Sequence, residues 1–205
     1  MKNIILPLSI VIIFVLWLNY EIRKNNRLSK KSSEDFWSKE SRANMTPKAD
    51  ISNLDYIEIP FEKLPLEDNP DDTVNSYRDS ILSQSGKKIL NLSAFTNTEL
   101  KLKYGAANIT QLSEYDNNYT ILVSVLQKWG ERLYNLGYIK DALAVFEAAV
   151  ECKTDVHKTY ELLAKIYMEQ NTPDKINNLI NTISHYNIRD KEKLISKLQN
   201  LKNNA

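Results

Sequence analysis

The chain has 205 residues, of which 42% are hydrophobic and 26% charged, and its formal net charge is +1. Four Gly and six Pro exclude collagen-like or linker-like chains, and the apolar fraction excludes wholesale disorder. One Cys and two His exclude a disulfide framework and a multi-cysteine zinc or iron–sulfur centre, and the near-zero charge argues against a nucleic-acid binder.

The average conceals a segregation. Residues 1–31 hold six basic side chains against Glu21 alone, a net of +5, which leaves residues 32–205 at −4. Between Ile4 and Leu18 every residue is apolar except Ser9, and the run continues through Asn19 to Tyr20. About twenty helical residues reach about 30 Å, enough to span hydrocarbon. Pro7 falls in the first turn, where a missing N–H costs little, and Trp17 and Tyr20 stand where an interfacial aromatic belt would lie. A cleavable signal peptide needs small residues before the cut, and Leu16-Trp17-Leu18-Asn19-Tyr20 offers none.

Residues 1–22 are therefore expected to be a single-pass transmembrane anchor contacting the bilayer through residues 4–20. Arg23, Lys24, Arg27, Lys30 and Lys31 outweigh Lys2 on the other flank. Because Lys and Arg resist translocation, this predicts the N-terminus outside and the C-terminal domain in the cytoplasm, at the inner face of the cell membrane. The same five cations are chemically suited to anionic headgroups, but setting topology is the simpler role.

Residues 23–69 read as a juxtamembrane tether followed by an extended acidic segment, with a short helix around Ser33–Ser41. Pro60 and Pro65 forbid a continuous helix over 54–66. Residues 50–79 carry nine acids against Lys63 and Arg78 but no Asp-x-Asp-x-Asp-Gly loop, which favours a solvated strap over a calcium site. Asp72 or Thr73 is expected to cap a helix from Val74 to about Ser85, ended by Gly86. Lys87–Phe95 is ambiguous between strand and irregular chain. Thr96-Asn97-Thr98-Glu99 matches a capping box, and helices alone are expected from there to the end.

A self-similarity at 34 residues organises this region. Leu126, Trp129, Gly130 and Leu133, followed by the turn residue Gly137 and by Ala142, Phe146 and Ala149, recur as Tyr160, Leu163, Ala164, Tyr167, Asn171, Ile176, Ile180 and Ile183. Small residues let two helix backbones approach, and large ones fill the spaces between them. On these residues the chain resembles the tetratricopeptide repeat (TPR) family, whose unit is a 34-residue pair of antiparallel helices. Residues 123–156 match its pattern closely. Residues 157–190 match in the first helix but carry Ile176 and Ile183 where the family has small residues, and both units lack the terminal Pro. Asp155 or Thr154 is expected to cap the second unit's first helix and Thr172, ahead of Pro173, its second. A cap helix is expected at about 189–202, with Leu194, Ile195, Leu198 and Leu201 on one face.

The expected fold is all-α: a short TPR-like α-solenoid at 70–205, preceded by the transmembrane helix and the irregular tether. The resemblance implies a non-enzymatic protein-interaction scaffold whose concave groove binds a protein or peptide. The groove positions carried over are Gln127, Glu131, Tyr134, Asn135, Lys158, Glu161, Lys165, Met168 and Glu169. Their mixture of signs lacks the Lys, Asn and Arg set with which the family clamps a C-terminal carboxylate. Two other readings stay open. One is an accessory subunit of a membrane enzyme or transporter, contacting it through the transmembrane helix. The other is a self-associating structural protein or homo-oligomer, its groove filled by a second copy or by residues 50–79.

Catalytic chemistry has no positive sign. No phosphate-binding Gly loop, Gly-x-Ser-x-Gly elbow or His-Glu-x-x-His motif occurs, His157 and His185 lack ligand spacing, and Cys152 is expected to be a semi-buried thiol. No cofactor, metal or nucleic acid is expected. The sequons at Asn91, Asn108 and Asn118 matter only on an extracellular domain, which the flanking charge disfavours. The abundance of Asn, Lys and Ile points to a low-GC bacterial source.

Overall fold

The computed structural model describes residues 5–186 and 188–203, with side chains given from residue 14 onward except at 28, and it is all-helical. Among the described residues there are eight α-helices: α1 (Ile5–Asn44), α2 (Asp72–Leu82), α3 (Asn97–Tyr104), α4 (Ile109–Asn135), α5 (Ile139–Glu151), α6 (His157–Glu169), α7 (Asp174–His185) and α8 (Lys191–Asn203). No strand occurs among the described residues, so Lys87–Phe95 is irregular chain.

Among the described residues no helix is long and apolar enough to cross a membrane. Of the expected anchor, residues 1–22, the part from Ile5 onward is helical within α1, while residues 1–4 and the side chains of residues 5–13 lie outside the described residues.

The tether expectation needs correction. Residues 23–44, expected as mainly irregular chain, belong to α1, which runs unbroken for 40 residues. No Gly or Pro interrupts residues 8–46, and Glu21–Lys24 and Lys30–Glu34 pair at 3.4 and 3.9 Å with helical spacing. Polar composition alone had suggested a tether, but Ser, Asn and Lys are only mildly unfavourable in a helix. Pro47 follows the helix end, and irregular chain with one 3-10 turn at Phe61–Lys63 covers the rest of the segment to residue 70.

The chain divides into two compact units. The first combines the described part of residues 1–49 with Thr96–Ile109 and packs the end of α1 on α3. Ala43, Leu100 and Tyr104 are buried, and Glu40 bonds both Thr98 (2.8 Å) and Lys101. The capping box forms: Thr96 accepts from the Glu99 amide while the Glu99 carboxylate accepts from the Thr96 amide at 2.8 Å. Gly105 ends α3 at φ 85°, and a Cβ there would lie 2.3 Å from the Pro47 carbonyl oxygen. Only glycine tolerates both conditions.

The second unit, Asp50–Phe95 with the described part of residues 110–205, holds the main core. Trp129, Phe146, Tyr160, Leu126, Leu163 and Ile176 are fully buried there. Each such side chain contributes about 1.5–3 kcal/mol on leaving water. α5 packs on α6, α6 on α7 and α8, and α7 on α8. The turns Gly137 (φ 84°) and Asn171 (φ 54°), 34 residues apart, are both left-handed. Gly and Asn adopt this conformation at least cost.

Three expected caps differ. Asp71, not Asp72 or Thr73, caps α2 by accepting from the Val74 amide at 3.0 Å, and α2 ends at Leu82. Neither Thr154 nor Asp155 caps α6, whose N-cap is Val156 without a side-chain bond. Thr172 does not cap α7; its hydroxyl instead donates to the Tyr167 carbonyl at the end of α6, at 3.1 Å.

Candidate functional site: the polar face of α4, α6 and α8

The residues expected to pack between repeat helices are all buried: Leu126, Trp129, Gly130, Leu133, Ala142, Phe146, Ala149, Tyr160, Leu163, Ala164 and Tyr167. Their burial fixes which faces of α4 and α6 turn outward. On α4 the next stripe round carries Gln127, Glu131 and Tyr134; on α6 it carries Lys158, Glu161, Lys165 and Glu169.

These two stripes meet. The Gln127 amide donates to one Glu131 carboxylate oxygen at 2.7 Å, and Lys158 donates to the other at 2.5 Å. One turn further, the Tyr134 hydroxyl donates to Glu169 at 2.7 Å. Lys165 sits 5.1 Å from the Tyr134 ring centroid and 3.9 Å from the Glu169 carboxylate. On the far side of α6, Glu161 pairs with Lys197 of α8 at 2.6 Å. Asn135 is exposed at the end of α4, and Met168 is half-buried against the core.

The face is thus a polar surface across three helices with its charges in opposite pairs. The Lys158 bond holds the Glu131 carboxyl below its usual range, against a desolvation that would raise it. Contact with Tyr134, followed by the Glu169 charge, pushes Lys165 above its ordinary value. Such pairs are worth about 0–1 kcal/mol each at a surface, so a charged ligand can displace one of them at small cost.

Sequence reasoning missed one member of this arrangement, Lys197, and one pairing outside it, that of Arg132. Lys197 was assigned only to a cap helix; its place follows from the Leu194 and Leu198 stripe, which turns the neighbouring cation toward α6. Arg132, on another side of α4, grips Asp71 through Nη2 at 2.5 Å and Nε at 3.3 Å. No periodicity in the sequence pairs residues 61 apart.

The acidic segment engages other residues. Lys63 pairs with Glu151 and Asp55 with Lys153, each at 2.5 Å, while the Cys152 thiol lies 3.9 Å from the Glu58 carbonyl oxygen. Ile57 and Leu64 are buried in the core. Residues 55–64 therefore run past the end of α5. A cleft of about 440 Å³ opens nearby, lined by Asp55, Ile57, Phe95, Lys153, His185 and Tyr186 among others. Burial pushes the Tyr186 phenol up, and the Asp55–Lys153 pair neutralises the cleft's principal charges.

Among the described residues no group of three or more His, Cys, Asp or Glu is placed to hold a metal ion. His157 bonds the Arg189 carbonyl oxygen at 2.6 Å and His185 that of Asn181 at 2.8 Å. Cys152 is fully buried rather than semi-buried, which pushes its thiol up to about 12. Of the sequon residues, Asn108 and Asn118 are buried and donate to backbone carbonyls, at 2.8 Å to Ala49 and 3.0 Å to Lys88.

No family model, curated protein or solved structure matches the chain significantly.

Proposed function

We propose that the chain is a single-pass membrane-anchored scaffold that recruits a protein or peptide partner through the polar face of α4, α6 and α8, with its helical domain at the inner membrane face. The observation that carries this reading is the meeting of residues from α4, α6 and α8 on one surface, through Glu131–Lys158, Tyr134–Glu169 and Glu161–Lys197. The TPR-like assignment of residues 123–190 draws support from the helix pairs α4–α5 and α6–α7. It draws support also from the left-handed turns 34 residues apart and from the close approach of Gly130 to Phe146. The anchor rests on the apolar run 4–20, and the cytoplasmic orientation on its flanking charge.

The segment 50–79 as an internal occupant of the groove has less support, because its anchoring bonds run to α5, to Lys153 and to Arg132.

The test is a crosslinking pull-down of the full chain from its native membrane. A partner captured by the native chain and lost with Glu131→Lys, but retained when residues 1–22 are exchanged for an unrelated anchor, supports the groove. Loss on anchor exchange alone transfers the contact to the membrane helix and overturns this reading. Capture of only the chain itself replaces it with self-association.

A further inference from the structure

The five cations that follow the apolar run gain a new property from the helix. α1 passes through residues 20–31 without a break, so their angular positions are defined. At about 100° per residue, Arg23, Lys24, Arg27, Lys30 and Lys31 all fall within a sector of about 120°. Asn25, Asn26, Ser29, Ser32 and Ser33 occupy the rest of the circumference. A cluster that only sets topology needs number and proximity, not a face.

All five side chains are exposed. Two carboxylates approach them: Glu21 pairs with Lys24 at 3.4 Å from outside the sector, and Glu34 with Lys30 at 3.9 Å at its far end. Arg23, Arg27 and Lys31 leave a cationic strip about 12 Å long. Arg23 lies three residues, or about 4.5 Å of helix, beyond Tyr20, within one Debye length of a headgroup layer there.

We propose that this face of α1 binds the anionic phosphates of the membrane's own lipids, drawing the helix down onto the headgroup layer on one side. The inference rests on the membrane-anchor reading above. Arginine takes a phosphate through two parallel N–H bonds and lysine as a point charge, so the strip suits several monoanionic headgroups side by side. The occupant is the bilayer because the strip continues, without a turn, from the segment that reads as its anchor.

The test uses the full chain reconstituted into vesicles of phosphatidylcholine with about 30% phosphatidylglycerol, enough anionic lipid to set up a negative surface potential. Spin-labelled lipids report which headgroup is held against the protein, and carbonate extraction reports insertion. The native chain is expected to hold phosphatidylglycerol about fivefold over phosphatidylcholine at low salt, with the preference falling in about 1 M salt, where the Debye length is about 3 Å. A variant carrying Arg23→Asn, Asn25→Arg, Ser29→Lys and Lys31→Ser keeps the charge but spreads it around the helix. It is expected to insert equally and lose most of the preference. Equal preference in both chains overturns the face, and no preference in the native chain overturns the lipid site. Release of the native chain by carbonate overturns the anchor reading and this inference with it.

Discussion

A Cβ on Gly130 would lie 2.5 Å from Cε1 of Phe146, inside the contact distance of a ring that is itself fully buried. α4 and α5 therefore approach at a separation that only a glycine on α4 permits. Ala142 and Ala149 on α5 and Trp129 on α4 are equally buried.

Gly130→Ala should therefore destabilise the domain. Helix propensity favours Ala by about 1 kcal/mol, but overpacking a closed core costs about 1–3 kcal/mol and also forces the ring off its rotamer. Thermal melting should show a lower Tm, partly restored by Phe146→Leu in the same chain. A single variant as stable as the parent would contradict the close approach, and Gly130→Leu should be more damaging still.

Trp129→Ala removes the largest fully buried side chain and should cost about 3–5 kcal/mol, enough to unfold a domain of ordinary stability. Circular dichroism in increasing urea measures this directly. A loss under about 1 kcal/mol would mean that Trp129 is not in the core.

The Asp71–Arg132 pair predicts an acid-side dependence. The Arg132 bond holds the Asp71 carboxyl below its usual range, with the Val74 amide acting the same way. A depressed folded value contributes stability that is present above the unfolded pKa, near about 4, and lost as pH falls through the folded one. Asp71→Asn should flatten the fall in Tm below about pH 4. An unchanged acid limb would show that the pair contributes nothing.

Cys152 should resist alkylation in the folded chain. With its thiol pushed up to about 12 by burial, iodoacetamide at about pH 8 should label it on the order of a thousandfold more slowly than an exposed thiol. Denaturation should restore the ordinary rate. The same burial raises the Tyr119 and Tyr160 phenols. A raised folded value contributes stability that is complete below the unfolded pKa and lost as pH rises through the folded one. Tm should thus decline from about pH 9 upward.

Glu131→Lys should leave the fold intact, with a stability change within about 1 kcal/mol, because only the Gln127 and Lys158 contacts are lost. Partner capture should fall at least about tenfold. Capture at the parental level would remove the α4–α6 face from the binding surface.

The helical region was largely legible beforehand. Leu126, Trp129, Leu133, Tyr160, Leu163 and Tyr167 are spaced at three and four, and that spacing alone names the buried stripes of α4 and α6. Residues 23–44 misled, because polarity without a hydrophobic stripe does not distinguish a tether from a solvated helix. Thr172 misled differently. A hydroxyl next to a helix end has two sets of backbone groups within reach, and it took the carbonyl of Tyr167 behind it rather than an amide ahead.

Local periodicity determined that this protein is helical, which faces are buried and where the charges accumulate, since each follows from side chains a few residues apart. Tertiary packing alone decided the long-range pairs: Asp71 with Arg132, Asp55 with Lys153, Glu161 with Lys197. These partners are 61, 98 and 36 residues apart, and no short-range pattern specifies them. The net charge of +1 shows the same division. Counting separates a +5 end from a −4 remainder, but only the unbroken course of α1 gathers those cations onto one face, and only tertiary packing pairs the acids with distant partners.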